Sequence, residues 1–185
     1  TDLVKLDMTD GESFSDIGTG GTGDYEGMFV AWLERSAWTI SGTGAVNGVV
    51  VDWQRRRTNA QTGSVSHRTV ARIPKGAKFT TEAGTVIETQ KVLLAYLTPL
   101  KDVRLFDGNN DTVISYGKAV TLARMNYAAR AKSFVVTDTQ RAEATWVFAS
   151  DDAVEPDLAV TWNWRYGTWT ERDWPSACAA KIDTP

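Results

Sequence analysis

The chain has 185 residues, 42% of them hydrophobic and 23% charged, with a formal net charge of −3. The composition is that of a globular protein, and the charge gives no reason to expect general nucleic-acid affinity, which needs a basic field. Cys178 is the only cysteine, which excludes an internal disulfide and a Cys-rich zinc site, and no run of residues approaches the length of a membrane span.

Residues 1–26 are rich in Gly, Asp, Thr and Ser and read as an arm or loop with little core of its own. Thr1 stands where an intact reading frame has methionine, so an excised part of a longer polypeptide is expected. Strand signals start at Met28: 28–32 and 37–41 flank a Glu34-Arg35 turn, and 46–53 is apolar and β-branched. A polar bend, RRRTNAQTG, leads to a strand over 65–73. Glu82-Ala83-Gly84 joins 79–81 to 86–89 as a short hairpin, and 92–97 is apolar on both faces, as an internal strand is. Pro99-Leu100-Lys101 turns the chain into 103–106, and Asp107-Gly108 supplies the strongest turn signal, before 113–115. The spacing predicts one helix over 118–131, with Val120, Ala123 and Tyr127 on its apolar face. A hairpin of 134–137 with 144–148 follows, Phe134 and Val136 sharing one face and Trp146 and Phe148 another.

The densest signal is 158–174, with Trp162, Trp164, Trp169 and Trp174 around an Arg165-Tyr166-Gly167 turn. Leu158, Val160, Trp162 and Trp164 alternate with Ala159, Thr161 and Asn163, giving a wholly apolar face. A last strand is expected over 177–182. Many short strands with one helix imply an all-β sandwich, barrel or propeller. Aromatic hairpins recurring around Trp32/Trp38, Phe106, Trp146 and Trp162/Trp169 favour a propeller-like array of antiparallel hairpins over 27–185. At about 40–50 residues per blade the chain holds roughly four, the minimum of a closed ring, so the alternatives are a four-bladed ring and an incomplete larger ring continuing in a longer parent.

Five phrases occur in one order: ERSAWTISGTG (34–44), GSVSHRTVARI (63–73), LAYLTPLKDVRLFDGNND (94–111), MNYAAR (125–130) and AVTWNWRYGTWTERD (159–173). Together they resemble the β-propeller region of tail hub or nozzle proteins of tailed bacteriophages, chiefly short-tailed ones. The resemblance implies a non-enzymatic virion structural protein without cofactors, assembled in the host cytoplasm into a symmetric ring around the DNA exit channel. Its partners would be copies of itself, other tail proteins (adaptor, hub, fibre or spike) and genomic DNA passing without sequence-specific binding. The family's members are longer than this chain.

Several residues carry alternative chemistry. Asp107, Asn109 and Asp111 have the D-x-N-x-D spacing of a calcium loop, but Thr112 and Lys118 stand at the glycine and glutamate positions of that motif, and an Asp-Gly turn needs no ion. His67, the only histidine, has Ser64 and Ser66 nearby, yet Ser66 and His67 on a strand face opposite ways. Hairpin 161–169 is similar in outline to the Asp box of sialidase-type propellers, with Asn163 at the acidic place. Glu143, Asp151, Asp152, Glu155 and Asp157 supply carboxylates, but nothing in the spacing selects the facing pair a glycosidase needs. Arg55, Arg56 and Arg57 form the one basic run, suited to phosphate or an acidic neighbour. Trp164, Tyr166, Trp169 and Trp174 are candidates for a subunit contact, where Trp and Tyr are enriched. Their alternative use is a carbohydrate platform in a host-attachment propeller.

Overall fold

The computed structural model describes residues 29–33, 35–41, 45–46, 49–50 and 54–175. The expected arm at 1–26, the strand at 177–182 and Cys178 lie outside them. The described residues are mostly β-strand, and all the pairings between strands are antiparallel.

A first sheet orders β1 (Phe29–Trp32), β2 (Ala37–Ser41) and β5 (Gln54–Arg57), with the short ribbon β3 (Ala45–Val46) and β4 (Val49–Val50) inserted before its last strand. A second sheet runs through β6 (Val70–Ile73), β9 (Leu93–Leu97), β10 (Val103–Phe106) and β11 (Asp111–Val113). The hairpin β7 (Lys78–Thr80) and β8 (Val86–Glu88) is inserted after β6. The third sheet is β12 (Phe134–Asp138), β13 (Glu143–Phe148), β14 (Leu158–Asn163) and β15 (Thr168–Asp173) in unbroken order. Each sheet is therefore a meander whose strands pair in the order the chain makes them. Three such sheets are present among the described residues, where the residue count implies about four.

The second sheet lies between the other two. Its Ala71, Ile73, Leu93, Ala95, Leu97, Val103 and Leu105 pack in one core with Ala144, Trp146, Phe148, Leu158, Val160 and Trp162 of the third. Its other face, Val70, Leu94, Tyr96 and Phe106, packs with Val30, Trp32 and Ala37 of the first. This explains why β9 is buried at every position: successive residues serve different cores. Trp32 reaches Tyr96 and Phe106 at ring-centroid distances of 4.1 and 5.0 Å. Polar bonds reinforce the second seam: Trp146 Nε1 donates to the Thr69 carbonyl at 2.9 Å, and Lys78 N to the Trp164 carbonyl at 2.7 Å.

Four local expectations are corrected. The apolar run at 46–53 is not one strand: β3 and β4 are two residues each. Gln54–Arg57, assigned in part to a bend, is a strand with every side chain exposed. Its ladder partner is the β2 backbone, and its arginines sit on a sheet edge, where charge resists further pairing. The stretch 65–73 is a strand only from Val70, because His67–Thr69 forms a 3₁₀ turn capped by Ser66 Oγ, which accepts from Arg68 N.

The fourth concerns the helix, which breaks into a 3₁₀ turn at Tyr116–Lys118, helix α1 (Ala119–Ala123) and a second 3₁₀ segment at Tyr127–Lys132. Loop 149–151 pins the break: Asn126 N donates to the Ala149 carbonyl at 2.8 Å and Asp151 N to the Arg124 carbonyl at 2.7 Å. The expected apolar face points to solvent, with Val120 86% exposed. The neighbouring stripe, Leu122, Met125 and Ala129, is buried instead.

Candidate functional site

The 158–174 hairpin forms as expected, but its aromatics close inward. Leu158, Val160, Trp162 and Trp164 are all buried, and so are Ala159 and Thr161 on the opposite face. Thr161 and Thr145 satisfy one another by a hydroxyl–hydroxyl bond of 2.9 Å. Trp169 pairs across the strands with Trp162 and stacks on it at 6.1 Å and on Trp146 at 5.9 Å. The Asn163 side-chain oxygen accepts from the amides of Arg165 and Tyr166 at 3.1 and 3.3 Å, which builds the turn. Gly167 takes φ +70°, and a Cβ there would lie 3.2 Å from the Lys78 carbonyl oxygen. Trp164 is thus core, with no face left for a partner. Trp174 is half-buried between Phe134, edge-on at 6.3 Å, and the Arg172 guanidinium at 5.1 Å. Only Tyr166, 67% exposed at the turn, offers a free ring among these four candidates. The planar row of exposed rings that a sugar face needs is not formed by these four.

The D-x-N-x-D segment is a polar clamp between the first and second sheets. Asp107 Oδ1 accepts from the amides of Asn109 and Asn110 at 2.9 and 2.7 Å, while Gly108 takes φ +95°. Burial opposes the Asp107 charge, but those two amides and Lys91 outweigh it and hold the carboxyl below its ordinary range. Beyond the turn, Asn59 N donates to the Asn109 carbonyl at 2.7 Å and Arg56 Nη2 to Asn109 Oδ1 at 2.8 Å. Gln61 N reaches the Asp111 carboxylate at 3.3 Å. Of the basic run, Arg56 therefore grips the clamp, while Arg55 and Arg57 fall on the other face of β5.

The Asp111 carboxylate is taken up by protein donors. Its Oδ2 accepts from Tyr96 Oη at 2.8 Å and Arg104 Nη1 at 3.1 Å. Asp102 holds the rest of the Arg104 guanidinium, through Nε at 3.0 Å and Nη2 at 3.0 Å, and Thr98 Oγ1 donates to Asp102. The Arg104 and Asp111 side chains are only 8% and 2% exposed. Burial works against the Arg104 charge, yet its bonds to Asp102 and Asp111 hold the guanidinium well above its ordinary range. Burial and then the Asp111 carboxylate push the Tyr96 hydroxyl far up, so it donates and stays protonated. Among the described residues no group of three metal-ligating side chains converges. Tyr96, Arg104 and Asp102 were not singled out from the sequence. The available signal was an arginine inside the apolar strand VRLF, which must find an anion if buried.

The other candidates stay apart. His67 is exposed on its 3₁₀ turn, while Ser64 Oγ is buried and bonded to Thr69 Oγ1 at 2.8 Å. In the acidic loop, Asp151 pairs with Arg124 at 2.8 Å, Glu155 with Lys132, and Asp157 accepts from Ser150 N at 2.7 Å. These three carboxylates are engaged by neighbouring residues. Comparison with known protein families finds no matching family model, and comparison with curated proteins finds no match.

Proposed function

We propose that this chain is a structural module of a tailed-bacteriophage tail, of the nozzle or hub type, whose three meander sheets are successive blades of a propeller-like array. The observation that carries the proposal is the serial stacking, in chain order, with the second sheet buried on one face by the first and on the other by the third. Blades of a propeller are antiparallel meanders of this kind, arranged radially. The ordered set of phrases from ERSAWTISGTG to AVTWNWRYGTWTERD supplies the tail assignment.

In this role the chain works by assembly and not by catalysis, as a ring of copies in the virion tail that other tail proteins join and DNA traverses. Free passage of DNA favours few phosphate contacts, since each adds salt-dependent grip. The net charge of −3 and the engagement of Arg56 and Arg104 with the protein itself agree with that. Analytical ultracentrifugation of the full chain over a rising concentration series, followed by electron microscopy of the largest species, tests the proposal. A discrete cyclic oligomer is the expected result. A monomer at every concentration, with the chain also missing from purified tails, overturns it.

A further inference from the structure

Strands β6 and β12 are the edge strands of the second and third sheets, and between them runs a groove of about 520 Å³. Ala71, Val92 and Val135 give it an apolar floor, and Val70, Arg72 and Thr137 stand among its lining. Among the described residues, β6 pairs only with β9 and β12 only with β13, so each presents backbone donors and acceptors along its other edge. Arg72 is exposed and has no acidic partner among those residues. Edges of this kind are normally covered, bulged or charged.

We infer that the groove is a docking site for this chain's own N-terminal segment Leu3–Met8, added as an extended strand along β6. The segment reads Leu-Val-Lys-Leu-Asp-Met, so Val4, Leu6 and Met8 share one face while Lys5 and Asp7 share the other. That pattern matches an apolar floor with a polar rim and brings Asp7 to the side of Arg72. Charge points the same way: residues 1–26 hold seven acidic side chains against a single lysine. Main-chain pairing gives such strand addition its affinity, and alternate side chains give it specificity.

The tether decides between the chain's own segment and a neighbour's. Twenty residues, 9–28, separate the segment from β1, and a chain of that length spans at most about 66 Å. Stacked sheets are about 10 Å apart, so the groove lies within reach of a segment entering at β1. A tethered segment competes at an effective concentration in the millimolar range, which a separate copy does not match. The assignment does not depend on a role in phage tails.

The test uses the full chain with Cys178→Ser. Leu6→Cys is combined with Thr137→Cys in the groove, or with Val154→Cys, in the loop at the opposite end of the third sheet, as control. We expect oxidation to give an intramolecular disulfide in the first pair well ahead of the control. Amide exchange over 70–73 should rise about tenfold in the double variant Val4→Asp/Leu6→Asp, because each buried carboxylate costs docking free energy. Arg72→Glu should raise it in the same direction. The inference is overturned by unchanged exchange in these variants, by cross-linking no faster than the control, or by disulfides that form only between chains.

Discussion

At the scale of single residues, the strongest commitments are charges held away from water. Arg104 is buried between two aspartates, so removing one partner costs more than the pair itself contributes. Asp111→Ala is therefore expected to destabilise the fold by about 3–5 kcal/mol in urea melts. Asp111→Asn, which keeps an acceptor for Tyr96 Oη, should cost less than the alanine variant. A negligible loss for Asp111→Asn beside a large one for Asp111→Ala would show that the carboxyl fills space and does not balance charge. Asp107 contributes through pH. Its folded-state pKa lies below the unfolded value, so its stabilisation is complete above the ordinary carboxylate range and is lost as pH falls through the depressed value. Acid titration of the melting temperature should thus show a steeper fall below about pH 4 in the parent than in Asp107→Asn. Matching profiles would remove Asp107 from the acid response.

At the scale of elements, the hairpin at Leu158–Asn163 and Thr168–Asp173 was legible because its information is local: alternation, four tryptophans and a glycine able to turn. The same holds for β9 with β10 and for β12 with β13, where apolar runs flank recognisable turns. What misled was sequence that is local in pattern but long-range in use. Asp111 fits a calcium spacing by its neighbours, yet its true partners, Arg104 and Tyr96, stand 7 and 15 residues away on paired strands. Residues 118–131 allow two apolar stripes, and the Ala149 and Asp151 backbone contacts select the one containing Leu122 and Met125. The four aromatic candidates do not form one exposed row for a related reason: a tryptophan's type gives no direction, and pairing with Trp162 turns Trp169 inward. Trp162→Ala should accordingly cost about 3–5 kcal/mol, through the cavity left under Trp164 and Trp169. Tyr166→Ala should stay within about 0.5 kcal/mol, as exposed sites do. A large loss for Tyr166→Ala in thermal melts would mean that its ring is covered in solution.

At the scale of the whole molecule, stacking in series makes stability a matter of seams. The seam of the second and third sheets is the broader of the two. It joins both apolar faces over the largest core cluster and adds the Trp146–Thr69 and Lys78–Trp164 bonds. The first sheet is held by a smaller cluster centred on Trp32 and by the polar clamp from residues 107–111 to residues 56–61. Structures built from stacked units open at their weaker interfaces before they unfold as a whole. Trp32→Ala should therefore release the first sheet alone: amides of β2 exchange much faster, while β9, β13 and β14 keep their protection. Trp146→Ala strikes the broad seam and should lower the protection of both larger sheets together. Hydrogen exchange read by mass spectrometry separates the outcomes. If Trp32→Ala exposes β13 and β14 as readily as β2, the three sheets unfold as one unit and the seams have no hierarchy. A first sheet that opens separately leaves the rest of the described residues folded, so the smaller seam sets the first step of unfolding.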